Sequence, residues 1–175
     1  MKELGLIHIY TGEGKGKTTA AVGLAVRAAG RGIPVVFLQF MKDRPTGEVE
    51  ILSRLPGVTV LRGKAGQGFS FTMTPDEKEV TRAIHRRNLE QAIRLAEQGN
   101  CLVVLDEAMA ALQHGLLEEE PLRAWLDRRP PGVEVVLTGR DAPGWLLERG
   151  DYITEMVNKR HPYDRGIAAR QGIEE

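Results

Sequence analysis

The sequence has little cysteine and no surplus charge of either sign. Cys101 is the single cysteine among 175 residues, which excludes an internal disulfide and fits a reducing, cytoplasmic environment. Lys and Arg together number 24, as do Asp and Glu. Proteins that coat nucleic acid usually carry a basic excess or a basic stripe. We therefore expect a cytoplasmic protein with no nucleic-acid partner.

Long apolar runs are missing as well. No stretch approaches the roughly 20 apolar residues that a membrane helix needs, and the apolar run within residues 1–10 is too short for a signal peptide. The hydrophobic share of 42% and the charged share of 27% are ordinary for a globular protein. We expect no membrane association and a single domain over residues 1–175.

Short apolar segments rich in β-branched residues alternate with longer segments typical of helices. Strands are predicted over residues 6–10, 34–39, 58–61, 101–106, 133–138 and 152–157, and helices over 18–29, 74–99, 121–127 and 143–149. Residues 41–48 and 63–73 are predicted to be long loops. Because the strands are apolar on both faces, the pattern indicates an α/β fold with a mostly parallel sheet covered by helices on both sides.

The helix over residues 74–99 carries its own start signal. Thr74 is placed to cap it, Pro75 suits its first turn, and Glu77 completes a capping box. Its predicted core face is apolar. The residues assigned to that face are Val80, Ile84, Ala92 and Leu95.

Residues 10–19, YTGEGKGKTT, contain a phosphate-binding pattern. Gly12, Gly14 and Gly16 allow the backbone to approach a ligand with its N–H groups, and the helix that follows adds its positive N-terminal dipole. Lys17 is suited to phosphate oxygens and Thr18 to Mg²⁺. The usual pattern begins with glycine, where this chain has a threonine. The alternative is an ordinary glycine-rich turn before a helix, but the apolar strand and the buried helix that the motif requires on its two sides are both predicted.

Further polar residues follow other predicted strands and should meet at the same sheet edge. Asp106 and Glu107 suit Mg²⁺, directly or through water, although a strand-ending acid also caps helices. Arg140 is either a bidentate phosphate ligand or a surface arginine. Lys15 is either a second phosphate contact or a solvated lysine, and Gln39 ends the second strand. These residues predict a protein of P-loop NTPase-like (RecA-like) fold that binds Mg²⁺ and a nucleotide.

The residues alone leave the reaction open. A small kinase or NTPase would need a base for its acceptor, and Glu107 is a candidate. A nucleic-acid-stimulated ATPase is disfavoured by the zero net charge. Phe69 and Phe71 alternate in a loop, where aromatic side chains most often pack against a core.

Six segments taken together resemble the corrinoid adenosyltransferases of the P-loop type, which act on cob(I)alamin or cob(I)yrinic acid a,c-diamide. The resemblance runs from about residue 5 to residue 174 in consistent order. It rests on TGEGKGKTTAAVGLAVRAAGRG, VVFLQFMK, GFSFT, LVVLDE, LTGR and HPYDRGIAARQGIE.

This resemblance implies that Co(I) of a corrinoid attacks the 5′ carbon of ATP and that triphosphate leaves, in adenosylcobalamin synthesis or salvage. It implies Lys17, Thr18 and Glu107 as catalytic residues, with Mg²⁺ served by Thr18 and Glu107 and by Asp106 behind them. The implied nucleotide contacts are Gly12, Glu13, Gly14, Lys15, Gly16, Lys17, Thr18, Thr19, Arg27 and Arg140, and the implied corrinoid contacts are Gln39, Phe40, Phe69 and Phe71. A reduced flavin or flavoprotein as electron donor and a homodimer are implied as well.

The chain departs from the family pattern at two implied contacts. Relatives commonly have Asn or Asp where Glu13 stands, so this longer carboxylate must point away from the phosphates or assist the metal. Some relatives have Trp at the position of Phe71.

Overall fold

A computed structural model describes residues 5–42, 46–63 and 73–174. The β-strands are β1 (Ile7–Thr11), β2 (Val35–Gln39), β3 (Val58–Arg62), β4 (Cys101–Asp106), β5 (Val133–Thr138) and β6 (Tyr152–Glu155). The helices are α1 (Lys17–Ala29), α2 (Gly47–Leu52), α3 (Pro75–Ala96), α4 (Ala108–Gln113), α5 (Glu119–Arg128) and α6 (Gly144–Leu147), and a 3-10 turn spans Pro162–Arg165.

The six strands form one parallel sheet in the order β3-β2-β4-β5-β1-β6. Parallel neighbours require crossover connections, which the helices provide. The carboxyl ends of β1, β2, β4 and β5 therefore lie side by side, and the register pairs Gln39 with Asp106 and Tyr10 with Thr138. This edge collects the residues that the sequence analysis singled out.

The sheet has an apolar layer on each face. Val36 and Leu38 of β2 belong to one buried cluster, which includes apolar side chains of α3, α4 and α5. Val35 and Phe37 belong to the other, which includes Ala21 and further small residues of α1. Alternate residues of one strand thus pack on opposite sides, as expected for a sheet covered on both faces. The predicted fold class is confirmed.

Several details differ from the sequence-based expectations. Helix α2 begins at Gly47, inside a segment predicted to be a loop, and the six-residue helix α4 was not predicted. The capping box of α3 is present with Thr74 and Glu77, as predicted. The prediction that Val80 lies on the core face of α3 was wrong, because Val80 is 55% exposed. None of the helices within the described ranges is both long and apolar enough to cross a membrane.

Candidate active site

Residues 12–16 carry the predicted phosphate-binding pattern and connect β1 to α1; they are here called the phosphate loop. Gly12 and Gly16 have positive φ angles of 95° and 116°, which residues with a Cβ rarely adopt. Gly16 directly precedes Lys17, the first residue of α1, so the loop delivers its backbone to a helix N-terminus. The loop therefore has positive-φ glycines and a junction with a helix N-terminus, as the sequence pattern predicts.

The chain segment after β6 supports this loop from the side. The Gly14 amide donates to the Met156 carbonyl at 2.6 Å, and the Met156 amide donates to the Thr11 carbonyl at 2.8 Å. A Cβ placed on Gly12 or on Gly14 would lie 2.6 Å from the Met156 oxygen. Glycine is required at both positions because the backbone at Met156 leaves no room for a side chain.

Lys17 lies across the loop that precedes it. Its Nζ donates to the Gly12 carbonyl at 2.5 Å and to the Gly14 carbonyl at 2.8 Å. Burial lowers the pKa of Lys17, and the positive charge of Arg140 lowers it further, whereas Glu107 and Glu13 oppose these effects. Two carbonyl oxygens of the loop therefore hold the ammonium group beside it.

Asp106 is the centre of a buried polar network. Its Oδ1 accepts from the Thr18 hydroxyl at 2.8 Å and from the Thr138 hydroxyl at 2.7 Å. Its Oδ2 accepts from Gln39 Nε2 at 3.0 Å and lies 3.6 Å from Lys42 Nζ. Asp106 is fully buried, so its charge is compensated by protein groups contributed from four places in the fold.

Glu107 follows Asp106 in an unusual backbone conformation. Its φ is 60°, and its amide donates to the Thr138 hydroxyl at 2.9 Å. Burial raises the pKa of the Glu107 carboxyl and the neighbouring Asp106 raises it further, while Lys42, Lys17 and Arg140 act in the opposite direction. A cation bound here would favour the ionised form of the Glu107 carboxylate.

Backbone strain concentrates at this sheet edge. The non-glycine residues with positive φ within the described ranges are Met41, Glu107 and Asp141. Each lies within three residues of the carboxyl end of β2, β4 or β5. Such conformations persist where the surrounding structure fixes them, and they cluster at functional sites.

A cavity of about 500 Å³ opens beside the phosphate loop. Arg140 enters it from the loop after β5, and its Nη1 lies 3.1 Å from Glu13 Oε2. The residues lining the cavity are Glu13, Lys17, Glu107, Ala110, Gln113, His114, Arg140 and Asp141. The structure thus brings together Glu13, Lys17, Glu107 and Arg140, which the sequence analysis placed in one site.

The oxygen atoms around Thr18 suit Mg²⁺. Hydroxyl and carboxylate oxygens are its preferred ligands, and it usually binds few of them together with substrate phosphates. Thr18 donates its proton to Asp106, which leaves the lone pairs of its hydroxyl oxygen free to face a cation. Within the described ranges, no group of three or more His, Cys, Asp and Glu is arranged to hold a metal. The hydroxyl and carboxylate oxygens present here are of the chemical type that Mg²⁺ binds.

Other predicted site residues lie outside this cluster. Arg27 is exposed in the last turn of α1, and at ~1.5 Å per residue it lies about 15 Å along the helix from Lys17. Lys15 and Thr19 are exposed on the loop and on α1. Phe69 and Phe71 lie outside the described residues.

Gln39 ends β2 and Phe40 follows it, and both are fully buried. The ring of Phe40 meets the ring of His85 edge-on, with 5.1 Å between the ring centres. Gln39 Oε1 has no hydrogen-bond partner within residues 5–42, 46–63 and 73–174. Gln39 therefore presents an unused acceptor beside the Asp106 network.

Sequence reasoning missed three contributors to the site. Lys42 follows β2 and lies within 4 Å of Asp106 and of Glu48. Thr138 joins Asp106 to the Glu107 amide, and Met156 supports the phosphate loop. Thr138 had a usable signal, since a polar residue ending an apolar strand faces the same edge as Asp106.

Comparison with known proteins shows where this arrangement belongs. The family described as ATP:corrinoid adenosyltransferase BtuR/CobO/CobP matches residues 3–174. The chain belongs to this family. Membership confirms the function predicted from the sequence, that of an ATP:corrinoid adenosyltransferase, and makes the chain a transferase.

Individual relatives agree with the family assignment. A corrinoid adenosyltransferase of Pseudomonas aeruginosa is 35% identical over 173 residues, which is 98% of this chain and 84% of that protein. One from Escherichia coli K12 is 36% identical over 174 residues, with 98% and 86% covered. Corrinoid adenosyltransferase CobA of Salmonella typhimurium LT2 is 34% identical over 175 residues, with 99% and 87% covered.

Among solved structures, the cytoplasmic domain of EssC is similar in fold. The TM-score is 0.53 at 19% sequence identity, and the match covers 98% of this chain but 37% of that one. At this identity the likeness concerns the α/β fold alone.

Proposed function

We propose that this adenosyltransferase grips the triphosphate of ATP with its phosphate loop while Co(I) of a corrinoid attacks the 5′ carbon. The cobalt–carbon bond forms, the bond between that carbon and the phosphate oxygen breaks, and its electron pair leaves with triphosphate. Cobalt is oxidised formally from Co(I) to Co(III). The observation that supports this role is that Lys17, Arg140 and the N-terminus of α1 converge on one cavity.

Triphosphate gathers negative charge as it departs. Lys17 is already beside the Gly12 and Gly14 carbonyls, so it moves a short distance onto phosphate oxygens. Fixed cations and backbone amides that face the developing charge stabilise the transition state more than they stabilise bound ATP. Lys15, exposed on the same loop, supplies a further cation. Co(I) is itself a strong nucleophile, so this route requires no protein base.

We propose that Mg²⁺ is held by Thr18 and Glu107, with Asp106 behind them. The ion would supply positive charge to the phosphate oxygens when bound. The protein contributes orientation, because Asp106 fixes the Thr18 hydroxyl and Thr138 fixes the Glu107 backbone. Ionisation of Glu107, which burial opposes, would accompany metal binding.

The corrinoid is proposed to approach the edge formed by the end of β2. The unused Gln39 acceptor and the buried Phe40 are proposed to support that surface from below. Phe69 and Phe71, as the resemblance implies, would displace the lower ligand of cobalt. Loss of that ligand makes Co(II) easier to reduce, because the added electron enters an orbital along the vacated axis.

Three further properties are proposed from the resemblance and from supporting observations. A reduced flavin or flavoprotein supplies the electron, and the protein works in the cytoplasm, which suits its single buried thiol. It forms a homodimer, for which the exposed strand β6 offers a surface with Tyr152 and Ile153 about half exposed.

The deciding experiment is an anaerobic incubation with ATP, Mg²⁺ and chemically reduced cobalamin. We expect the spectrum of adenosylcobalamin together with one equivalent of tripolyphosphate. The Lys17→Ala variant should lose turnover while remaining folded, whereas Lys78→Ala near the start of α3 should keep both its turnover and its fold. Accumulation of ADP and phosphate with no new cobalt–carbon bond would instead favour the rival, a kinase or NTPase with Glu107 as its base.

A further inference from the structure

Glu13 and Arg140 meet across the mouth of the cavity. Glu13 Oε2 lies 3.1 Å from Arg140 Nη1, and the two side chains are 61% and 62% exposed. Both residues line the cavity together with Lys17. The contact joins the phosphate loop to the loop after β5, which are far apart in sequence.

The Glu13 carboxylate is paired with a guanidinium group that a phosphate would use. Carboxylates and phosphates present similar oxygen geometry to a guanidinium group, and both accept charge-assisted hydrogen bonds from it. Arg140 can therefore exchange one anion for the other without changing its own role. Ligand oxygens that reach Arg140 therefore compete with the Glu13 carboxylate for the guanidinium charge.

Lys17, the other proposed phosphate-binding cation of this cavity, is held by neutral groups rather than by a carboxylate. Lys17 donates to the neutral carbonyls of Gly12 and Gly14, so its displacement separates no ion pair. Arg140 is the cation of this cavity that is paired with a carboxylate across it. This difference makes the Arg140 contact dependent on the residue at position 13.

We propose that Glu13 is an internal competitor for Arg140 that weakens the grip on triphosphate and so promotes release of the product. This inference rests on the proposed function, because it takes triphosphate to be the leaving group. Glu13 acts through Arg140 and is a positioning residue rather than a catalytic one. Since the pair is exposed, we expect the competition to change affinity by about two- to fivefold, the scale of exposed ion pairs.

The test is a double-variant cycle on the binding of inorganic tripolyphosphate by the full chain, measured by calorimetry at fixed ionic strength. Glu13→Gln should tighten binding about two- to fivefold. In the Arg140→Gln background the same change at position 13 should tighten binding by less than half as much. Glu90→Gln is the matched control, because Glu90 is 56% exposed and pairs with Arg94 on α3; it should leave affinity unchanged.

Turnover gives a second readout that a purely structural role would not move. Glu13→Gln should lower the inhibition constant of tripolyphosphate in the transfer reaction, and Glu13→Asp should give an intermediate value. If Glu13→Gln weakens binding or leaves it unchanged, the proposal is wrong. Full tightening that persists without Arg140 would assign the effect to simple charge repulsion and would also overturn it. A wild-type chain that binds no tripolyphosphate would refute the proposed function itself, and this inference with it.

Discussion

Replacing Gly14 with alanine tests whether the segment after β6 shapes the phosphate loop. The added Cβ would lie 2.6 Å from the Met156 oxygen, 2.7 Å from the Met156 carbonyl carbon and 2.9 Å from the Val157 carbonyl carbon. All three are backbone atoms, so they cannot rotate away as a side chain can. Gly14 does not have a positive φ, and the effect is therefore steric.

The magnitude follows from two costs. Overpacking of this kind costs about 1–3 kcal/mol. Moving the two segments apart also weakens the hydrogen bond between Gly14 and Met156, which contributes about 1 kcal/mol. We expect a loss of about 2–4 kcal/mol in the free energy of unfolding, or about 4 to 16 °C in Tm for a chain of this size.

The assay pairs chemical denaturation with ATP binding by calorimetry. Gly14→Ala should lose stability and at least tenfold in ATP affinity, since the loop must shift to accept the methyl group. Gly23→Ala is the control: Gly23 lies within α1, and its added Cβ would have nothing within 4 Å. That variant should gain about 0.5–1 kcal/mol from helix propensity. A Gly14→Ala protein with wild-type stability and affinity would refute the reasoning.

Two other predictions concern buried polar groups. Asp106→Asn should lower the free energy of unfolding by about 1–3 kcal/mol, because the NH₂ group of the new asparagine would face the donors of Gln39 and Lys42. Chemical denaturation with and without Mg²⁺-ATP measures this loss of stability. His85 donates from Nδ1 to the Leu116 carbonyl, and burial lowers its pKa. The unfolded chain therefore takes up a proton near pH ~6.5 before the folded chain does, so stability should fall as pH drops below that value, and less steeply in His85→Gln.

The controls for these predictions are simple. Asp164→Asn, in the exposed 3-10 turn, should leave stability unchanged. An Asp106→Asn protein as stable as wild type would contradict the proposed network. The His85 comparison uses the slope of unfolding free energy between about pH 8 and pH 5.5, so a uniformly less stable variant still gives an answer. Equal slopes would contradict the assigned titration.

The strands and the site edge were predictable because their signals are local. Apolar β-branched runs such as 101–106 have few alternatives to a buried strand, and parallel pairing then aligns Asp106 with Gln39. The capping box at Thr74 and Glu77 likewise depends on residues three apart. Each of these inferences needed only neighbouring residues and one rule of sheet geometry.

The missed features depend on distant partners. The core face of α3 was predicted to include Val80. The buried side of the helix instead begins with the polar residues Thr81, His85 and Asn88. Thr81 and His85 are accommodated by the carbonyls of Glu77 and Leu116, which no hydrophobic period reveals. The ion pair of Glu13 and Arg140 is likewise a tertiary contact.

The bond between Gly14 and Met156 also bears on how this protein is made. The two residues are about 140 positions apart, which at roughly 5–20 residues per second corresponds to about seven to thirty seconds of synthesis. A nascent chain that has been synthesised only as far as the phosphate loop therefore lacks the Met156 carbonyl, which accepts the Gly14 hydrogen bond. We therefore expect a fragment that ends before residue 156 to bind ATP more weakly than the full chain.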